Sequence, residues 1–322
     1  MQRSKISVIG AGNVGSSLAQ FLAIRELGDV YLFDIIEGIP EGKALDIMEG
    51  TPHWGADSKV VGFNTANEEN YRHLEGSNVI IVTAGLARKP GMSRDDLLGK
   101  NVEVISGVAR NIKKYAPEAI VVVVTNPADI MAYALYKVSG IKPEKILGLG
   151  GSLDSARFRT FLSMELGVSV EDISAFVIGG HGDDMVPFIR YSSAGGIPIS
   201  NLISKERIAE IVKRTRMGGG EIVNYLKTGS AYYAPGISIT AMVESILRDR
   251  KRIIPSAAFL TGEHAKHYGA DGIFIGLPVR IGANGVEHVY DIDFSEEELS
   301  LWKKTIESVT SSCKKVDEFL SR

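Results

Sequence analysis

Six short runs of β-branched and other apolar residues punctuate the first 150 positions: KISVIG (5–10), DVYLFDI (29–35), KVVGFN (59–64), NVIIVTAG (78–85), AIVVVVTN (119–126) and KILGLG (145–150). Several are apolar without clean alternation, which marks strands covered on both faces. The stretches between them, at 13–25, 41–49, 95–115 and 128–138, have helical patterning. Strands alternating with helices favour a parallel sheet flanked by helices on both sides. Beyond residue 150 the pattern changes. Residues 156–167, 204–229 and 236–249 read as helices, and the three glycines at 218–220 predict a kink or a close helix contact in the second. Residues 273–292 read as two strands turning at Asn284-Gly285, and residues 295–320 as a closing helix with Ser295 and Glu298 as its capping box. The chain of 322 residues is long enough for two domains, and the change of pattern puts them at 1–150 and 151–322.

The first strand runs into VIGAGNVG, which sets Gly10, Gly12 and Gly15 in the G-x-G-x-x-G spacing between a strand and a helix. Such glycines allow a tight turn and let backbone amides approach a pyrophosphate at a helix N-terminus. Asp34 ends the second strand 19 residues after Gly15, where a carboxylate accepts hydrogen bonds from a ribose diol. It would repel a 2′-phosphate, and Ile35, Ile36 and Glu37 supply no arginine to hold one. NAD is therefore expected over NADP.

Composition excludes several partners. A net charge of −3 leaves no basic footprint for nucleic acid. The longest apolar runs are too short to span a bilayer. The single cysteine, Cys313, forms no internal disulfide and no cysteine-rich metal site, so a reducing, cytoplasmic setting is expected. Only MQRSK precedes the first strand, so no signal or transit peptide is expected. His53, His73, His264, His267 and His288 show no ligand set, and no metal is expected. His264 and His267 read as a solvated helix face.

Three further segments carry chemistry. ARKPGMSR (87–94) holds Arg88 and Arg94 in a loop leaving a buried strand, either solvated or closing over an anion. LDSAR sets Asp154 and Arg157 three apart on one helix face. GGHGDDMVP places His181 between glycines, which let a ligand approach the ring. Taken singly these are a helix-end charge, its ion-pair partner and a turn histidine.

Together with GAGNVG and TNP (125–127), in this order and spacing, the segments resemble the lactate/malate dehydrogenase family, specifically its lactate-dehydrogenase-like malate dehydrogenases. The resemblance runs from Ile6 to the closing helix. It implies a Rossmann doubly wound parallel sheet followed by an α+β substrate domain, NAD as cofactor, and reversible hydride transfer between malate and NAD. His181 matches the proton acceptor, Asp154 its partner carboxylate, and Arg94 the arginine that polarises the reacting carbonyl. Arg157 matches the clamp on the C1 carboxylate, which a planar guanidinium holds with two hydrogen bonds. Arg88 matches the position that selects a second carboxylate, and Asn126 an amide contacting substrate and cofactor. Gly10, Ala11, Gly12, Asn13, Val14, Gly15, Asp34, Asn101, Val124 and Thr125 match the cofactor site. A homotetramer or homodimer is also implied. The chain departs from the family pattern at Ala87, where relatives often have proline, and at Asp184, where a small hydroxyl residue is usual. The rival readings are an enzyme of this fold acting on lactate or another 2-hydroxy acid, which Arg88 disfavours, and a non-catalytic NAD-binding protein. A sensor of that kind has no need of a proton shuttle.

Overall fold

The computed structural model describes residues 3–86, 93–182 and 184–321, and of Arg94 the backbone alone. The first half alternates as its apolar runs predict: β1 (Lys5–Ile9), α1 (Asn13–Ile24), β2 (Asp29–Asp34), α2 (Ile39–Trp54), β3 (Val60–Asn64), β4 (Val79–Val82), α3 (Arg94–Tyr115), β5 (Ile120–Val123), α4 (Ala128–Ser139) and β6 (Ile146–Gly148). Its strands are all parallel, in the order β3-β2-β1-β4-β5-β6. Every residue of β4 and β5 is buried, which is why those runs lack alternation. The order reverses beside β1, where β4 lies on its other side, and a crevice opens at the carboxyl ends of the strands.

The second half continues with α5 (Gly151–Leu166), β7 (Ile173–Ser174), β8 (Val177–Gly179), β9 (Met185–Pro187), β10 (Ser193–Ala194), β11 (Ile197–Pro198), α6 (Lys205–Leu226), α7 (Tyr233–Leu247), β12 (Arg252–Leu260), α8 (Gly262–Tyr268), β13 (Ile273–Gly282), β14 (Gly285–Val289) and α9 (Glu296–Leu320). Strands β12, β13, β8 and β9 extend the first sheet, with β14 on β13, to make 11 strands. The additions are antiparallel, so the sheet is mixed. It therefore runs through the boundary drawn at residue 150. The join is one pair, Gly148 opposite Ala257, where a Cβ on Gly148 would lie 2.8 Å from that of Ala257. One apolar core continues across the join, from Ile6 on β1 to Val316 on α9. A smaller core around Phe158, Leu162, Ile199 and Ile208 seats α5 and α6.

Several elements differ from the sequence expectation. Strand β12 is not evident in RIIPSAAFL because Pro255 argues against an interior strand; it faces Pro278 of β13, so both missing donors fall on one pair. Helix α5 begins at Gly151 rather than 156, which puts Asp154 in its first turn. Helix α6 runs unbroken through its three glycines, of which Gly218 serves a close contact and Gly220 has nothing within 4 Å of an added Cβ. The hairpin turns on Ala283 and Asn284, one place earlier than expected, with Gly285 opening β14 at φ 90°. The closing helix α9 has its expected capping box, Ser295 with Glu298. No helix among the described residues is long and apolar enough to cross a membrane.

Candidate active site

Steric demand explains two of the three loop glycines. Gly10 has φ 111°, and a Cβ there would lie 2.5 Å from Thr83 Oγ1. A Cβ on Gly15 would lie 1.8 Å from the Gly10 carbonyl oxygen, so only glycine lets α1 start against the loop. Gly12 is different, because nothing lies within 4 Å of an added Cβ. It is the N-cap of α1, no side chain caps that end, and the first turn holds no acid. Backbone N–H groups at such a terminus suit an anion. Asp34 is pinned beside them. Its Oδ2 accepts the Ala11 N–H at 2.7 Å and its Oδ1 the Ile36 N–H at 3.0 Å. Each oxygen keeps capacity for a further hydroxyl. The residues present thus fit the pyrophosphate and ribose of a dinucleotide. Lys43 of α2, absent from the sequence expectation, donates to the Ala11 carbonyl at 2.7 Å and to Ser16 Oγ at 3.3 Å. Its reach back across 32 residues leaves no local signal.

At the other end of the crevice, Asp154 is 1% exposed. Its Oδ2 lies 2.8 Å from His181 Nδ1, and its Oδ1 accepts Arg157 Nη1 at 3.3 Å. One carboxylate therefore fixes both an imidazole and a guanidinium. In the neutral ring the hydrogen sits on Nδ1, facing the carboxylate, and Nε2 keeps its lone pair. Burial acts to lower the His181 pKa, but the Asp154 charge and hydrogen bond, with Asp129 behind them, offset it and raise the pKa above 6.5. The histidine turn is fixed by Gly180, whose N–H donates to Thr305 Oγ1 of α9 at 2.9 Å. Arg157 lies against α6, where a Cβ on Gly218 would come within 3.1 Å of its Cδ. Gly218 of α6 makes room for the arginine.

Between these ends lie the residues after β4 and β5. Val124 N–H donates to the Val82 carbonyl at 2.8 Å, and Thr125 Oγ1 to the Ala84 carbonyl at 2.6 Å. Asn101 is 1% exposed, and its amide is taken up by the chain itself. It accepts from Leu86 N at 2.8 Å and donates to the Asn126 carbonyl at 3.0 Å, so it laces two loops together. Asn126 is exposed and shares a cavity of about 640 Å³ with His181. Arg88 and the side chain of Arg94 lie outside the described residues; the Arg94 backbone opens α3, behind the N-cap Ser93. The departure at Asp184 is partnered, since Ser308 Oγ of α9 donates to it at 2.8 Å. His267 is exposed and His264 half-buried, as a solvated helix face requires, and both rings also find partners. They bond to Asp291 and to the Ile292 carbonyl, at 2.8 and 3.0 Å, and tie α8 to the segment after β14.

One acid beside the histidine is absent from the sequence expectation. Asp129, in the first turn of α4, is 3% exposed, and its Oδ2 accepts the His181 backbone N–H at 3.4 Å. Burial pushes its carboxyl up to about 7, against the pull of His181. Its only signal in the sequence is an acid two places after TNP, at the head of an apolar helix.

Residues 4–148 match the family described as lactate/malate dehydrogenase, NAD binding domain, and residues 151–320 match lactate/malate dehydrogenase, alpha/beta C-terminal domain. The chain is 71% identical over 322 residues to a malate dehydrogenase of Thermoplasma acidophilum, covering 100% of this chain and 99% of that one. Among solved structures it is similar to the apo form of malate dehydrogenase from Picrophilus torridus, with TM-score 0.98, 66% identity and 99% of each chain covered. It is also similar to a Cryptosporidium parvum lactate dehydrogenase complexed with lactic acid and nicotinamide adenine dinucleotide, with TM-score 0.92, 43% identity, and 98% of this chain and 99% of that one covered.

Proposed function

The chain belongs to the lactate/malate dehydrogenase family, and on that footing we propose that it interconverts malate and oxaloacetate by hydride transfer with NAD. Bound nicotinamide supplies the hydride acceptor in oxidation and the donor in reduction. The chain's own residues handle the proton and the carboxylates. His181 Nε2 takes the hydroxyl proton of malate as the hydride leaves carbon, and returns it in reduction. Asp154 stabilises the imidazolium that forms and holds the ring in the tautomer with Nε2 free. Arg157, fixed by the same carboxylate, clamps the C1 carboxylate. Arg94 polarises the carbonyl oxygen and Arg88 faces the distal carboxylate, both roles resting on the motif ARKPGMSR. Asn126 contacts substrate and cofactor. Residues 1–150 carry the cofactor and 151–322 most of the substrate site. The setting that fits is a cytoplasmic homotetramer or homodimer serving the tricarboxylic acid cycle.

The observation that carries this reading is the shared carboxylate of Asp154, 2.8 Å from His181 and 3.3 Å from Arg157, a pairing of proton carrier and anion clamp. A cofactor-binding protein without chemistry has no use for it. The test is initial-rate NADH oxidation by the purified protein with oxaloacetate and with pyruvate, repeated with NADPH. Rapid turnover of oxaloacetate with NADH, and far slower turnover of the other pairs, is expected. Preference for pyruvate would replace the substrate, and no turnover with any ketoacid would remove the activity.

A further inference from the structure

We propose that Asp129 is a positioning residue for His181, a second carboxyl that clamps the histidine turn from α4 while Asp154 orients the ring from α5. This rests on His181 being the proton carrier. The geometry is specific. Asp129 Oδ2 accepts the backbone N–H of His181 across 52 residues of chain. Its Oδ1 is buried and receives no hydrogen bond from any described residue. A buried carboxyl held by one long hydrogen bond from the described residues is unfavourable for folding. A position needing only a helix-start acceptor would be served by asparagine or serine.

The surroundings give the acid its meaning. Facing the histidine turn are Asp154 and Arg157 from α5, Asp129 from α4, and Asp184 from the turn itself. Cys313 on α9 lies near enough to feel the Asp129 charge. Lys315 of α9 also lines the cavity, but it is paired with Asp95 of α3 at 2.6 Å. No cation among the described residues bonds to Asp129, and among them the group that acts to balance its charge is the imidazole. Each charge favours the other, so protonating His181 favours the ionised form of Asp129. Asp129 thus supports the imidazolium formed in malate oxidation while fixing the backbone that carries it.

The test uses full-length Asp129→Asn and Asp129→Ser enzymes. NADH affinity is read by fluorescence titration, and oxaloacetate reduction is followed between about pH 5 and 9. The His181 imidazole is titrated by NMR, its resonance assigned with His181→Asn. Both variants should bind NADH and oxaloacetate within a few-fold of wild type. Their kcat should fall by about tenfold or more, and His181 should titrate at a lower pH than in wild type. A merely structural role would leave the titration where it was. An Asp129→Asn enzyme with wild-type kcat and an unmoved titration, beside an inactive His181→Asn enzyme, overturns the role of Asp129 alone. A His181→Asn enzyme with wild-type turnover overturns the proton-carrier reading and this proposal with it.

Discussion

Asp154→Asn is informative because the carboxylate has two customers and the amide has one oxygen. In the wild-type protein Oδ2 lies 2.8 Å from His181 Nδ1 and Oδ1 accepts Arg157 Nη1 at 3.3 Å. Asparagine keeps the shape but loses the charge. If its oxygen stays with Arg157, its NH₂ faces Nδ1 and drives the ring hydrogen to Nε2, the nitrogen that must accept the substrate proton. If its oxygen turns to His181, Arg157 faces an NH₂ and swings out of register. A hydrogen bond to a charged group is worth roughly 1.5–3 kcal/mol, about one to two powers of ten in rate. The wrong tautomer adds to that, so kcat should fall by roughly 10²–10³-fold. NADH binding should stay within a few-fold, since the cofactor loop is at the far end of the crevice. The pH profile gives a second reading. The wild-type His181 pKa is raised, so reduction, which needs imidazolium, is full at low pH and is lost as pH rises through that value. Oxidation needs neutral imidazole and gains over the same interval. In Asp154→Asn both midpoints should move to lower pH. A variant with kcat within threefold of wild type and an unmoved profile would refute the assigned role.

Cofactor choice should follow Asp34. Asp34→Ser with Ile35→Arg should shift the preference from NADH towards NADPH in paired initial rates, with some lost stability because Asp34 also holds Ala11 N–H at 2.7 Å; an unchanged ratio would detach Asp34 from the ribose. Substrate choice should follow Arg88. Removing one partner of a buried ion pair costs roughly 3–5 kcal/mol, so Arg88→Gln should lower kcat/KM for oxaloacetate by about two to four orders of magnitude. Pyruvate should fare better in that variant, and an oxaloacetate-to-pyruvate ratio close to wild type would show that another residue selects.

Legibility in the sequence follows the range of the interactions. Strands β4 and β5 are plain because burial on both faces writes itself into consecutive residues. The glycine loop is plain because its demands are local: a Cβ on Gly15 would meet the Gly10 carbonyl oxygen at 1.8 Å, only five residues back. Strand β12 is hidden because the reason a proline is tolerated there, Pro278 opposite Pro255, lies on another strand. Asp154 and Arg157 can be paired from their spacing on one helix. His181 joins them across 27 residues, and its place beside them is available beforehand only through the family resemblance. Asp129 and Lys43 are further cases. Each is an ordinary helix residue by sequence, and only the packing of α4 under the histidine turn, or of α2 beside the glycine loop, gives it a partner.

The most direct measurement is a single-turnover comparison of wild-type and His181→Asn enzymes, each loaded with NADH and mixed with oxaloacetate. If His181 carries the proton, the variant should bind NADH within a few-fold of wild type and oxidise it slower by roughly three or more powers of ten. Rapid oxidation of NADH by the variant, at a rate near wild type, would contradict that assignment and move the proton to another group.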